Sequence, residues 1–272
     1  GDGAVTGATL PEGFFNFFTT PQDFISGLGW GLGYFGMPHI IIRFMSLKSE
    51  KELRKSSVIG ISWTTIILIM SALTAVAGRL YLGEIDDPST VFITMVRRIF
   101  PALVSGLLLS AILSAAMSTA DSQLLAASSA FASDVYKPVI RKKASDSEML
   151  WAGRIVVIVI AVVALMIASD PNSGSIMGLV ENAWGVFGAA FGPVILLSLF
   201  WKRLTFGGTV AGIAAGAAVD ILWLVFLSST DIYEIVPGFA AGLLAAVVVS
   251  LLSKGPGKDV EDLFDRAVDL KS

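Results

Sequence analysis

Gly29-Trp30-Gly31-Leu32-Gly33-Tyr34-Phe35-Gly36-Met37-Pro38-His39 lies inside an apolar run covering residues 24–45. That run is long enough to cross a bilayer, which takes about 20 mostly apolar residues. Four glycines within eight residues, followed by Pro38, weaken a helix and remove a backbone donor, so the spacing predicts a helix broken or kinked at mid-membrane. Backbone groups freed there must face protein or water, as in the discontinuous helices of transporters. Gly31, Gly33 and Gly36 also match a GxGxxG pattern. A dinucleotide site needs a preceding strand and an acid about 20 residues on, and neither is present. Trp30, Tyr34 and Pro38 recur four apart and fall on one side of whatever helix remains. They fit either a site lining or an aromatic belt at close Gly packing.

The rest of the chain shares this character. Of 272 residues, 54% are hydrophobic and only 15% charged, with a mean hydropathy of +0.77, against about 25% charged in an ordinary soluble domain. Most of the 27 glycines fall within apolar runs, which excludes a disordered or collagen-like chain. No cysteine and a single histidine, His39, leave little for thiol, zinc or triad chemistry. A net charge of -3 lacks the basic field that binds nucleic acid, and no nucleic-acid partner is expected.

Seven stretches meet the length criterion: residues 24–45 (A), 58–82 (B), 102–131 (C), 151–168 (D), 176–201 (E), 208–227 (F) and 235–253 (G). Basic residues cluster in alternate connections. Lys48, Lys51, Arg54 and Lys55 lie between A and B; Lys137, Arg141, Lys142 and Lys143 between C and D; Lys202 and Arg203 between E and F; Lys254 and Lys258 after G. The other connections hold Asp2, Glu12, Asp23, Asp170, Asp231 and Glu234, and the one between B and C opens with Glu84, Asp86 and Asp87. This alternation predicts an all-α polytopic membrane protein with the N-terminus outside and the C-terminus inside. Residues 1–272 are expected to form a single membrane domain, with 1–23 an extracellular segment, 24–253 the seven spans and 254–272 a cytoplasmic tail. Arg97 and Arg98 break the alternation, within a segment near 89–100 whose apolar residues share a stripe. It is expected to be a short extracellular interfacial helix, resting at the headgroups or serving as a gate. The chain begins Gly1-Asp2-Gly3 without Met or signal peptide, so it reads as the C-terminal part of a longer polytopic protein.

Span C is the most polar, and Ala111, Ala115, Ser118 and Ser122 form one small-residue face. The Ser118 and Thr119 hydroxyls lie within one turn of the Ala115 carbonyl, an all-oxygen set suited to a hard cation such as Na⁺. The same residues also serve as packing contacts between helices. Asp121 is costly in a span and functional by default. It can pair with a group elsewhere, join a cation pathway with Ser122, or sit in a wet vestibule. Asp220 lies near the middle of F and Glu181 near the outer end of E, and neither has a role assigned from the sequence. Gly188-xxx-Gly192-Pro193 and Gly208-xxx-Gly212-xxx-Gly216 read as helix contacts.

GWGLGYFGMPHIIIRFM (residues 29–45), LLLSAILSAAMSTADSQLL (107–125), SDVYK (133–137) and AWGVFGAAFGPVILLSLFWKRLT (183–205) together resemble the sodium:solute symporter family, in register and in order. The resemblance covers residues 27–253. It implies a fold of two inverted five-helix repeats, with A to E the second repeat, F and G two extra C-terminal helices, and the N-terminal half of the protein absent. It further implies a multi-pass cell-membrane transporter, not an enzyme, that couples Na⁺ entry to uptake of L-proline, with no organic cofactor. A related solute such as another amino acid, pantothenate or a sugar is the alternative. By position it implies Na⁺ ligands at Ala115 (carbonyl), Ser118 and Thr119, and a substrate lining of Trp30, Tyr34 and Pro38. A second cation site at Asp121 or Ser122 is a further expectation. Of other classes, a seven-helix receptor lacks a lysine in G for a retinal Schiff base, and a cation channel would need a ring of carboxylates or carbonyls. A membrane enzyme lacks any nucleophile-base pair or metal motif.

Overall fold

The computed structural model describes residues 9–16, 20–170 and 173–269. Asp2, with residues 1–8 and 17–19 of the expected outer segment, and residues 270–272 of the tail lie outside the described residues. Everything regular among the described residues is helical. Six helices are long and apolar enough to cross a membrane. They are α3 (Glu50–Leu82), α5 (Ala102–Ala130), α6 (Asp146–Ser169), α7 (Ile176–Phe200), α8 (Phe206–Phe226) and α9 (Ile235–Leu252). Span A is the seventh expected crossing, and it is no continuous helix. It consists of α1 (Pro21–Trp30), a 3₁₀ segment (Gly31–Phe35) and α2 (Pro38–Met45). Closely spaced glycines and Pro38 are the physical reason, because neither supports an unbroken α ladder.

Two compact units emerge, each with its own packing. In the first, α3 begins eight residues before span B, because Glu50–Leu82 carries the helix through the charged residues read as a connection. Gly78 of α3 faces Val91 at the start of α4 (Val91–Ile99), the helix expected near 89–100. Asp87 caps the preceding turn by accepting from the Ser89 amide at 2.9 Å. Ser105 donates to the Val96 carbonyl at 2.9 Å and the Phe100 carbonyl at 3.0 Å, tying the end of α4 to the first turn of α5. α5 runs on into a π-helical segment, Phe131–Ile140, that contains Pro138. Residues 132–140 are therefore helical where a connection was expected. Tyr136 donates to Glu148 at 2.8 Å, and Arg141 pairs with the same carboxylate at 3.0 Å, so the segment is pinned to the start of α6.

The second unit is built on stripes of small residues. On α8, Gly208, Gly212, Gly216 and Asp220 are all buried at a spacing of four; on α9 the matching stripe is Gly238, Gly242, Ala246 and Ser250. α7 supplies Gly185, Gly188, Ala189, Gly192 and Pro193. Without side-chain bulk the three backbones approach closely, the usual solution where lipid offers no hydrophobic drive between helices. A Cβ on Gly238 would stand 2.8 Å from Ala189 Cβ and 2.9 Å from Asp220 Cβ. At the opposite end, Thr205 caps α8 and its amide donates to Ser250 Oγ at 3.1 Å. Lys202 pairs there with Asp265 of α10 (Lys258–Asp269), and that carboxylate holds the ammonium above the ordinary lysine range.

Gly216→Ala places a methyl against the Ala189 carbonyl, whereas Gly60 of α3 has open space around it. Gly216→Ala is expected to destabilise by about 1–3 kcal/mol through overpacking. Gly60→Ala stays neutral or gains up to about 1 kcal/mol in helix propensity. Thermal melts of the two variants in one detergent check this.

Candidate functional site

The break in span A is framed by precise local chemistry. Thr20 caps α1, accepting from the Asp23 amide at 3.1 Å while its own amide donates to Asp23 Oδ2 at 2.9 Å, with Pro21 at the first helical position. α1 ends at Trp30, and the 3₁₀ segment then runs against α7. A Cβ on Gly33 would enter the Trp184 indole, and one on Gly36 would come within 2.8 Å of Gly188 Cα. Only glycine at both positions allows this approach.

An aromatic cluster sits on the break. Trp30 lies between Trp184, with ring centroids 5.8 Å apart and planes 15° apart, and Tyr233 at 5.7 Å and 27°. Tyr34 meets Trp184 edge-on at 4.8 Å. Trp184 donates its indole N–H to the Trp30 carbonyl at 2.9 Å, so a carbonyl at the junction of α1 and the 3₁₀ segment gains a side-chain partner from α7. Tyr233 donates to the Glu181 carbonyl at 2.8 Å, and its amide donates to Ser26 Oγ at 3.0 Å. Of the residues expected from sequence, Trp30 is half-buried in this cluster and Tyr34 is 49% exposed at its edge. Pro38 is exposed and opens α2, separated from Trp30 by the 3₁₀ segment, so the three residues do not share one continuous helical face. Trp184, Tyr233 and Ser26 were not singled out from the sequence. Trp184 stands one residue before Gly185 and four before Gly188 in the glycine run of α7, and that placement was the available signal.

The second candidate set lies on α5, within the other unit. Ala115, Ser118, Thr119, Asp121 and Ser122 are all exposed. Thr119 Oγ1 is 3.2 Å from the Ala115 carbonyl, and Ser122 Oγ donates to the Ser118 carbonyl at 2.9 Å. Two of the three expected Na⁺ ligands are thus neighbours. A hydroxyl that donates to a carbonyl keeps its lone pairs for a cation, and the Ala115 carbonyl frees one of its own when Thr119 Oγ1 turns to the cation instead. The oxygen-only donor set fits a hard monovalent cation.

Comparison with known proteins places these sites in context. The profile of the Sodium:solute symporter family matches residues 5–216. The chain is 43% identical over its whole length to the high-affinity proline transporter PutP of Bacillus subtilis, covering 59% of that protein. It is 45% identical over 88% of its length to the osmoregulated proline transporter OpuE of the same organism, covering 50% of it. With a sodium/proline symporter of Haemophilus influenzae it shares 44% identity over 96% of its length, covering 54% of that protein. The chain therefore spans about half the length of the curated relatives it matches. No solved structure matches it.

Trp184→Phe keeps the ring contacts but removes the donor to the Trp30 carbonyl. Losing that hydrogen bond, with the carbonyl still serving the 3₁₀ segment, is expected to cost about 0.5–1.5 kcal/mol, read as a lowered melting midpoint. Phe187→Leu, which carries no such bond, serves as the comparison.

Proposed function

The chain belongs to the sodium:solute symporter family, and on that premise we propose that the protein it forms part of is a multi-pass cell-membrane transporter that couples Na⁺ entry to uptake of L-proline by alternating access. The observation that carries this reading is the aromatic cluster seated on a broken helix, with Tyr34 half-exposed at its edge. An apolar pyrrolidine ring packs on such a face. The two ends of a zwitterion are met by the carbonyl end of α1 and the amino end of α2, whose partial charges have opposite sign.

Na⁺ takes the Ala115 carbonyl with the Ser118 and Thr119 hydroxyls, and Asp121 and Ser122, on the following turn, extend the cation path. Further ligands come from the N-terminal half of the protein, as the family resemblance implies. The spans form one membrane domain, N-terminus outside and C-terminus inside. Span A to α7 make up the second of two inverted five-helix repeats, and α8 and α9 are the additional helices. Sodium binding stabilises the outward-open state, the solute then binds beside Trp30 and Tyr34, and closure follows when both are held. One charge moving inward across about 100 mV releases about 2.3 kcal/mol, and a tenfold Na⁺ gradient adds about 1.4 kcal/mol. Together these support roughly several-hundred-fold accumulation at one Na⁺ per solute.

The test is uptake of radiolabelled proline into vesicles by the full-length transporter, with and without an inward Na⁺ gradient. Uptake is expected only with Na⁺, and Ser118→Ala/Thr119→Ala is expected to raise the Na⁺ concentration for half-maximal rate by about tenfold or more, the worth of roughly 1.4 kcal/mol. Na⁺-driven uptake of another solute in place of proline would replace the substrate and keep the coupling. Uptake indifferent to Na⁺ would overturn the reading.

A further inference from the structure

Asp220 occupies the fourth position of the α8 stripe Gly208, Gly212, Gly216, Asp220, where the pattern calls for a small apolar residue. It is 0% exposed, and neither carboxylate oxygen has a hydrogen-bond partner among the described residues. It lies six residues inside the end of α8, about 9 Å along the axis at 1.5 Å per residue. Glu234, at the start of α9, is 8% exposed with Oε1 equally unpartnered. A Cβ on Gly185 of α7 would be 3.1 Å from Asp220 Oδ2 and 3.4 Å from Glu234 Oε1, so these two oxygens are at most about 6.5 Å apart.

Among the described residues of the helices packed here, no basic group offsets them. α1, α7, α8 and α9 contain no Lys, Arg or His. The titratable groups on these elements and on the turn between α8 and α9 are Asp23 on α1, Glu181 on α7, Asp220 on α8, and Asp231, Tyr233 and Glu234 around the start of α9. Asp23 is engaged at the α1 cap and Tyr233 at the Glu181 carbonyl. An ionised carboxylate with no partner in such surroundings carries a desolvation penalty of several kcal/mol, enough for the group to neutralise instead. The number of ligands decides what neutralises it. A metal ion needs a cage of donors, and among the described residues no third acidic or histidine side chain joins the pair to hold one. A proton needs only one oxygen.

We propose that Asp220 is a proton-binding site, held as the neutral acid in the folded protein, with Glu234 as the neighbouring carboxylate whose charge keeps the proton in place. Tyr233, which stacks on Trp30, directly precedes Glu234, so losing the proton puts charge beside the turn that supports the aromatic cluster. The sign of the pH dependence follows. An acid whose proton is held more tightly in the folded state than in the unfolded one adds full stability below the unfolded value near pH 3.9, and loses it as pH rises toward the folded value.

The test is infrared spectroscopy of the purified protein in H₂O and D₂O across pH, with melting midpoints measured in parallel. One un-ionised carboxylic C=O band is expected to persist at neutral pH and to be missing in Asp220→Asn. The melting midpoint of Asp220→Asn should gain a few degrees on that of the unsubstituted protein as pH rises from about 4 to 8. Should Asp220→Asn not fold, Glu234→Gln decides: removing the neighbouring charge should shift the pH at which the band disappears downward. The proposal is overturned if every acid band bleaches together near pH 4, if Glu234→Gln leaves the band's titration unmoved, or if no neutral acid is seen and the midpoint instead rises with added Na⁺ in an Asp220-dependent way.

Discussion

The break in span A stands on missing side-chain bulk at a few backbone positions. Gly33 and Gly36 on the 3₁₀ segment and Gly188 on α7 bring two backbones together so closely that a methyl at any of them overlaps its neighbour. With that contact made, the rest of the second unit follows. Trp184, one turn before Gly188, is held where its indole N–H reaches the Trp30 carbonyl, and Trp30 is thereby fixed between two rings. A non-helical segment at membrane depth is tolerated only where protein or water satisfies its backbone. Here α7 supplies one of the groups that do so.

The two units treat their surfaces differently. In α7, α8 and α9, buried positions are small and regularly spaced, and the helices lock through backbone approach. α3 and α6 have no buried residue within their most apolar stretches. Their large side chains within the first unit, among them Ile61, Trp63, Leu68, Ile155 and Ile158, are exposed. Such surfaces suit hydrocarbon, and a helix can present them there because its backbone is satisfied internally. The hydroxyls of α5 obey the same rule in another way, with Ser110, Ser114, Thr119 and Ser122 each returning a bond to a carbonyl one turn back.

Legibility from sequence divides along the range of the forces involved. The break was readable because Gly and Pro act on their own backbone, and the C-terminal ends of spans E, F and G fall within one residue of those of α7, α8 and α9. The start of α3 was not, since apolarity locates the part of a helix that crosses a membrane and is silent about charged turns that continue it into water. The π segment also went unread: a changed hydrogen-bond register within an apolar helix leaves no periodic mark. For the aromatic site, Trp30 and Tyr34 are local to the break, whereas Trp184 and Tyr233 meet Trp30 from about 150 and 200 residues away in sequence. Asp220 was visible as an anomaly, yet its meaning needed the stripe: four residues beyond Gly216, it points where Gly208, Gly212 and Gly216 point.

The near-parallel stack of Trp30 and Trp184, at 5.8 Å and 15°, carries a consequence of an optical kind. Two indoles so close and so aligned couple their electronic transitions, and coupled transitions give a paired near-ultraviolet dichroic signal whose sign reports the handedness of the stack. Tyr34, edge-on to Trp184, perturbs one partner only. The protein thus contains an intrinsic chromophore pair at the break in span A, responsive to rotation between α1 and α7 and readable without any label.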